Sequence, residues 1–170
     1  MISTSILLLL AMRTPRLPAE PVPELLPGVT SGARAAVMEV VRLSLATMRE
    51  TLRSNDRCST FLGGLAQVQL DRTWYGTFEG DPHVAAFTDP QDRNRVYLNV
   101  NGPIFTYRPG QFAFGRTDLS PAVVPQVYLF HEMGHQLGIF GQDANDAALN
   151  ERYSALIISN CFQGRPPSGP

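Results

Sequence analysis

His131-Glu132-Met133-Gly134-His135-Gln136-Leu137-Gly138 holds two of the three histidines of this chain within five residues. Residues four apart on an α-helix lie on nearly the same face, with Cβ atoms about 5–6 Å apart. His131 and His135 can therefore converge on one divalent cation, with zinc–nitrogen bonds of about 2.0–2.1 Å. Glu132 lies one residue further round, too rotated to be an easy ligand. It is placed instead to take a proton from an attacking water and to pass it to a leaving amine. The chain has three histidines, and two of them fall in this pattern. Pro121 and Pro125 are tolerated only near a helix start, so the helix is expected over 125–137, and Gly138 sits where a left-handed C-terminal residue belongs. Val127, Phe130, Gly134 and Leu137 form the small or apolar stripe that should pack on a sheet.

A third ligand is needed. Asp143 follows the turn after Gly138, close enough for the chain to fold back onto the metal, and is the first choice. Glu151, Asp146 and His83 are the alternatives, although a turn residue, an N-cap, a solvated helix charge or a strand-edge histidine would account for each of them. A donor that stabilises the transition state is expected nearby. Tyr128, Tyr153, Arg152 and His83 are the candidates, with an aromatic at helical spacing more often serving the core.

Outward from the motif, the pattern is that of one α+β domain. The 170 residues suffice for one domain with a real core, and 44% hydrophobic and 17% charged residues suit a globular protein. A helix is expected over 35–53, with Val37, Val40, Val41, Met48 and Leu52 near helical spacing, ended by Ser54-Asn55-Asp56. The middle reads as strands: Ala66–Leu70 by period-two alternation, Trp74–Phe78, Val84–Thr88, Arg95–Asn101 and a short Gln111–Phe114, with Asp89–Asn94 as a turn. A last helix is expected over 146–159. The expected architecture is a small, twisted, mainly antiparallel sheet packed against an N-terminal helix and the motif helix. Residues 1–33 read as a leader and Pro-rich lead-in (Pro15, Pro18, Pro21, Pro23, Pro27), 34–164 as the domain and 165–170 as a disordered tail.

Fourteen Lys and Arg against fifteen Asp and Glu give a net charge of −1, which lacks the basic footprint of a nucleic-acid binder. The apolar run Ile6–Met12 is too short to span a bilayer, so no stable membrane insertion is expected. It resembles the apolar core of a signal peptide, although no Lys or Arg precedes it, and points to a secreted or periplasmic protein. Cys58 and Cys161 cannot complete a four-cysteine zinc site, and in an oxidising compartment they are expected to pair. A monomer is expected.

The octapeptide resembles the active-site helix of the zincin metallopeptidases. Its HExxHxxG form is most similar to the metzincin side of that clan, including the small snapalysin-type enzymes, whose third ligand is an aspartate ten residues after the first histidine. Gly141 stands at that place here, so Asp143 requires a turn longer by two residues, and no methionine follows Met133 to make a Met-turn. Cys58-x-x-Phe61-Leu62-Gly63-Gly64, the motif helix and Asn160-Cys161 together resemble small exported bacterial proteins with the same order of motifs. The resemblance implies a zinc-dependent peptidase acting on a peptide or protein, and an edge strand, Val96–Asn101 or Gln111–Phe114, that pairs with an extended substrate. Two other outcomes fit the same residues: a non-catalytic zinc-binding domain that keeps a zincin shell, and a hydrolase of non-peptide amides.

Overall fold

In the computed structural model the described residues are 31–143 and 146–163. The expected leader and most of the Pro-rich lead-in, together with the tail after 163, lie outside them.

Helix α1 (Ser31–Ser54) is longer than its sequence pattern by a few residues. Its buried stripe is Val37, Val41, Leu45, Met48 and Leu52, spaced by three or four residues as one helical face demands. It stops at Asn55, whose extended backbone (φ −120°) caps the next helix, α2 (Asp56–Leu62), by accepting the Cys58 N–H on Oδ1 at 3.1 Å. Gly63, with φ +80°, closes α2.

The segment expected as the first strand is a helix, α3 (Ala66–Arg72). Alternation over five residues cannot separate the two periods. Only Ala66 and Leu70, four apart, are buried, while Val68 is exposed. Three strands follow: β1 (Trp74–Phe78), β2 (Ala86–Thr88) and β3 (Arg95–Asn99), in the order β1-β3-β2. β3 runs parallel to β1, with Trp74 opposite Arg95, and antiparallel to β2, with Ala86 opposite Leu98. The sheet is therefore mixed rather than mainly antiparallel. The link after β1 and the Asp89–Asn94 turn each reverse the chain, so β3 returns in the direction of β1 and inserts between its two neighbours. Val96 and Leu98 share the buried face, as their spacing requires.

Two expected edge strands are corrected. β3 is paired on both sides, so Val96–Asn101 offers no free edge. Gln111–Phe114 is not a strand: an isolated bridge between Ala113 and Arg116 closes a tight turn with Phe114 at φ 53° and Gly115 at φ 72°.

A short helix α4 (Pro103–Thr106) precedes the motif helix α5 (Val123–Gln136), and α6 (Ala147–Ile157) runs on into a π-helical turn, Ile158–Phe162. α5 packs against α1, α3, α4, α6 and β2, and eleven of its fourteen residues are buried. A helix enclosed to that degree must find partners for its polar side chains. Cys58 and Cys161, 103 residues apart, are joined in a disulfide that ties α2 to the π turn. Among the described residues no helix is long and apolar enough to cross a membrane.

Candidate metal centre

The local sequence brings the motif's ligands together in one tight reversal. Pro125 lies in the first turn of α5, where a missing N–H costs little. Gly138, with φ +72°, ends the helix as its place in the sequence predicts. The N–H groups of Ile139 and Phe140 both donate to the Gly134 carbonyl, at 2.9 and 3.1 Å, which folds the chain back along the helix. Gly134 permits this because a Cβ there would land in the Phe140 ring. We expect Gly134→Ala to cost about 1–3 kcal/mol, the usual range for overpacking, and to weaken metal binding by displacing Phe140 and the residues after it. Thermal melts and a zinc titration check both effects; a variant with unchanged zinc affinity contradicts the second.

The reversal delivers Asp143 to the histidines. Asp143 Oδ2 lies 2.9 Å from His131 Nε2 and Oδ1 lies 3.3 Å from His135 Nε2, while the two Nε2 atoms are 3.0 Å apart. Four-coordinate zinc with bonds of about 2.0–2.1 Å holds its donors roughly 3.3 Å apart; the 3.3 Å pair matches that spacing, the 2.9 and 3.0 Å pairs lie a few tenths of an ångström inside it, and the His2Asp donor set suits a divalent metal. Side-chain exposures of 3%, 16% and 10% for His131, His135 and Asp143 mean that little water competes for the three groups. Lone pairs crowded in this way repel unless a cation, proton or metal, sits among them. Burial works against the Asp143 carboxylate, but the hydrogen bond from His131 and the charges of both histidines outweigh it and hold its pKa below the ordinary value.

His131 is fixed from behind. Ser154, fully buried on α6, places Oγ 3.0 Å from His131 Nδ1. In a metal-bound centre, a proton on Nδ1 shared with Ser154 leaves the Nε2 lone pair for the ion in place of the hydrogen bond to Asp143. Ser154→Ala should therefore lower zinc affinity about 10–100-fold, the usual loss for such outer partners. Competition with a chromophoric chelator measures it, and unchanged affinity would show that the ring holds its orientation without Ser154.

Glu132 stands outside the three-donor group. Its carboxylate turns toward the sheet, where Thr88 Oγ1 on β2 donates to Oε2 at 2.8 Å. Burial pushes the Glu132 pKa up, against the His131 charge, the Thr88 hydrogen bond and the His135 charge. Thr88→Val leaves Glu132 without its donor. We expect a loss of stability of about 1–3 kcal/mol, the cost of leaving a buried acceptor without its donor. Urea denaturation measures it, and a variant as stable as the parent would remove Thr88 from any role in holding Glu132.

Among the described residues, the structure brings together His131, His135 and Asp143 and leaves the other ligand candidates outside. Asp146 is the N-cap of α6, accepting the Leu149 N–H at 2.9 Å. Glu151 is an exposed residue of α6, and His83 is exposed, its backbone N–H bonded to Asp81. Of the donor candidates, Tyr128 packs on Phe114 with ring centroids 4.6 Å apart, and burial pushes its pKa up to about 12. Arg152 is exposed. Tyr153 stands at the site: its ring stacks on Phe140 at 4.3 Å and lies 6.1 Å from each imidazole, and its hydroxyl accepts the Gly141 N–H at 3.3 Å.

Comparison of the chain with family models, with curated proteins and with solved structures finds no match in any of the three.

Proposed function

We propose that this chain is a zinc-dependent endopeptidase in which His131, His135 and Asp143 hold the ion and Glu132 is the general base and acid. The observation that carries this reading is the separation of roles on one helical turn. Two imidazoles and a returning carboxylate share a centre, while the carboxylate between them points elsewhere and keeps its own donor. Three protein ligands with a fourth position left open is the pattern of catalytic rather than structural zinc sites. A zinc ion bound there would supply Lewis acidity, polarising a scissile carbonyl and lowering the pKa of water toward about 7. Glu132 takes the proton from the attacking water and returns it to the departing amine. Tyr153, beside the imidazoles, is the side chain best placed to donate to the developing oxyanion.

β2 supplies the substrate edge that the resemblance called for elsewhere. It lies at the end of the sheet, contacts α5, and carries Thr88 against Glu132. An extended peptide adding to that edge would lie along the motif helix. The disulfide supports work in an oxidising compartment, outside the cytosol.

One observation favours the second reading, a metal-binding domain without turnover: Glu132 is only 6% exposed. Casein digestion by the purified chain separates the two. The peptidase reading expects cleavage that a chelator abolishes and added zinc restores. Stoichiometric zinc with no cleavage of casein or of a peptide library favours the binding domain.

A further inference from the structure

The disulfide lies outside the three-donor group, yet the element it anchors touches that group at two points. α6 begins at its Asp146 cap, three residues beyond the ligand Asp143, whose carbonyl accepts the Asp146 N–H at 2.9 Å. One face of α6 carries Ser154 against His131 Nδ1, and the adjacent Tyr153 braces the returning loop through Phe140 and the Gly141 N–H. The far end of α6 continues into the π turn that holds Cys161. That end is fastened to α2 by the disulfide and by Asn55, whose Nδ2 donates to the carbonyls of Cys161 at 3.2 Å and Asn160 at 3.5 Å. A rigid helix fastened at one end transmits its position to the other.

We infer that the Cys58–Cys161 disulfide and the Asn55 amide are positioning elements of the metal centre, setting zinc affinity through the placement of Ser154 and Tyr153 by α6. The inference rests on His131, His135 and Asp143 holding a metal. The effect is directed at the ring of His131, which meets Ser154, and at the loop bearing Asp143, which Tyr153 braces. A disulfide that merely stabilised the fold would raise the melting temperature and leave the affinity of the folded apo protein alone.

The test is zinc affinity of the full chain by chelator competition, at a temperature where circular dichroism shows each apo protein folded. Cys58→Ala/Cys161→Ala is expected to bind zinc at least about tenfold more weakly, the scale of an outer-partner loss. Asn55→Asp keeps an oxygen for the Cys58 N–H but removes the donor to the π turn, and is expected to weaken zinc by about threefold or more with the disulfide intact. Adding Ser154→Ala to the cysteine variant should cost less than it does alone, because both changes act on the same ring. Affinities within about twofold of the parent in both variants would overturn the inference, a twofold ratio being only about 0.4 kcal/mol. Should the cysteine variant fail to fold, Asn55→Asp decides. A parent protein that binds no zinc overturns the metal centre itself, and the inference with it, which the parent measurement alone reveals.

Discussion

Glu132→Gln is expected to lower kcat/KM for peptide hydrolysis by at least about 10²–10⁴-fold, the usual contribution of a positioned general base, while zinc stoichiometry stays at that of the parent. Gln keeps the shape of the side chain and a carbonyl oxygen for the Thr88 hydroxyl, now 2.8 Å from Oε2, so packing around the buried residue changes little. What it loses is the ability to accept a proton from water and give it back. Because Glu132 is not one of the three converging donors, the metal has no reason to leave. Metal content and turnover measured on the same preparation make this a paired result. A variant that cleaves at the parent rate removes Glu132 from the chemistry. One that loses its zinc would mean Glu132 is a ligand after all.

Cys58→Ala/Cys161→Ala, judged by stability rather than metal affinity, should show the largest change of any variant away from the site. The two residues are 103 positions apart and both are buried. In the chain-entropy model, closing a loop of about 100 residues is worth about 4.7 kcal/mol, which corresponds to roughly 10–20 °C in Tm for a domain of this size. Calorimetry of the parent and the variant, both kept zinc-free with a chelator, measures the loss, since bound zinc would add its own stabilisation. A shift of about 3 °C or less would mean that the Asn55 amide and the packing of Phe162 and Ile158 hold the π turn by themselves, since each kcal/mol is worth several degrees.

Much of the site was legible because its chemistry is local. Three residues of helix lie between His131 and His135, and that spacing of four places both imidazoles on one face. Gly138 marks the stop, and two cysteines leave one possible pairing within the chain, although free thiols fit the sequence as well. Asp143 is one of four ligand candidates in the sequence, and what selects it is the shape of the turn after the helix, which residue spacing does not give. The reversal needs a side-chain-free Gly134 under the Phe140 ring, and the N–H groups of residues 139 and 140 on one carbonyl. Gly141, where a shorter turn would have placed the ligand, instead gives its N–H to Tyr153.

Ser154 and Thr88 carried no signal. Each is an ordinary hydroxyl residue whose role depends on which element lies beside α5, and sequence spacing holds no such information. The same limit explains the errors. Ala66–Leu70 is too short to distinguish a period of two from one of 3.6, and burial of Ala66 and Leu70 without Val68 settles it as helix. The expected mainly antiparallel sheet misses the parallel β1–β3 pair, because β3 pairs with a strand two elements earlier in the chain and no local pattern records that partner.

The most direct measurement is the anomalous difference map of zinc-loaded crystals, collected on both sides of the zinc edge. Metal held by His131, His135 and Asp143 would give one peak, about 2.0–2.1 Å from Nε2 of His131 and of His135 and about 2.0–2.2 Å from an oxygen of Asp143, with the Glu132 carboxylate beyond bonding distance. A map with no peak between the two imidazoles, or with zinc bound at other residues while His131 and Asp143 remain hydrogen-bonded to each other, would contradict that coordination.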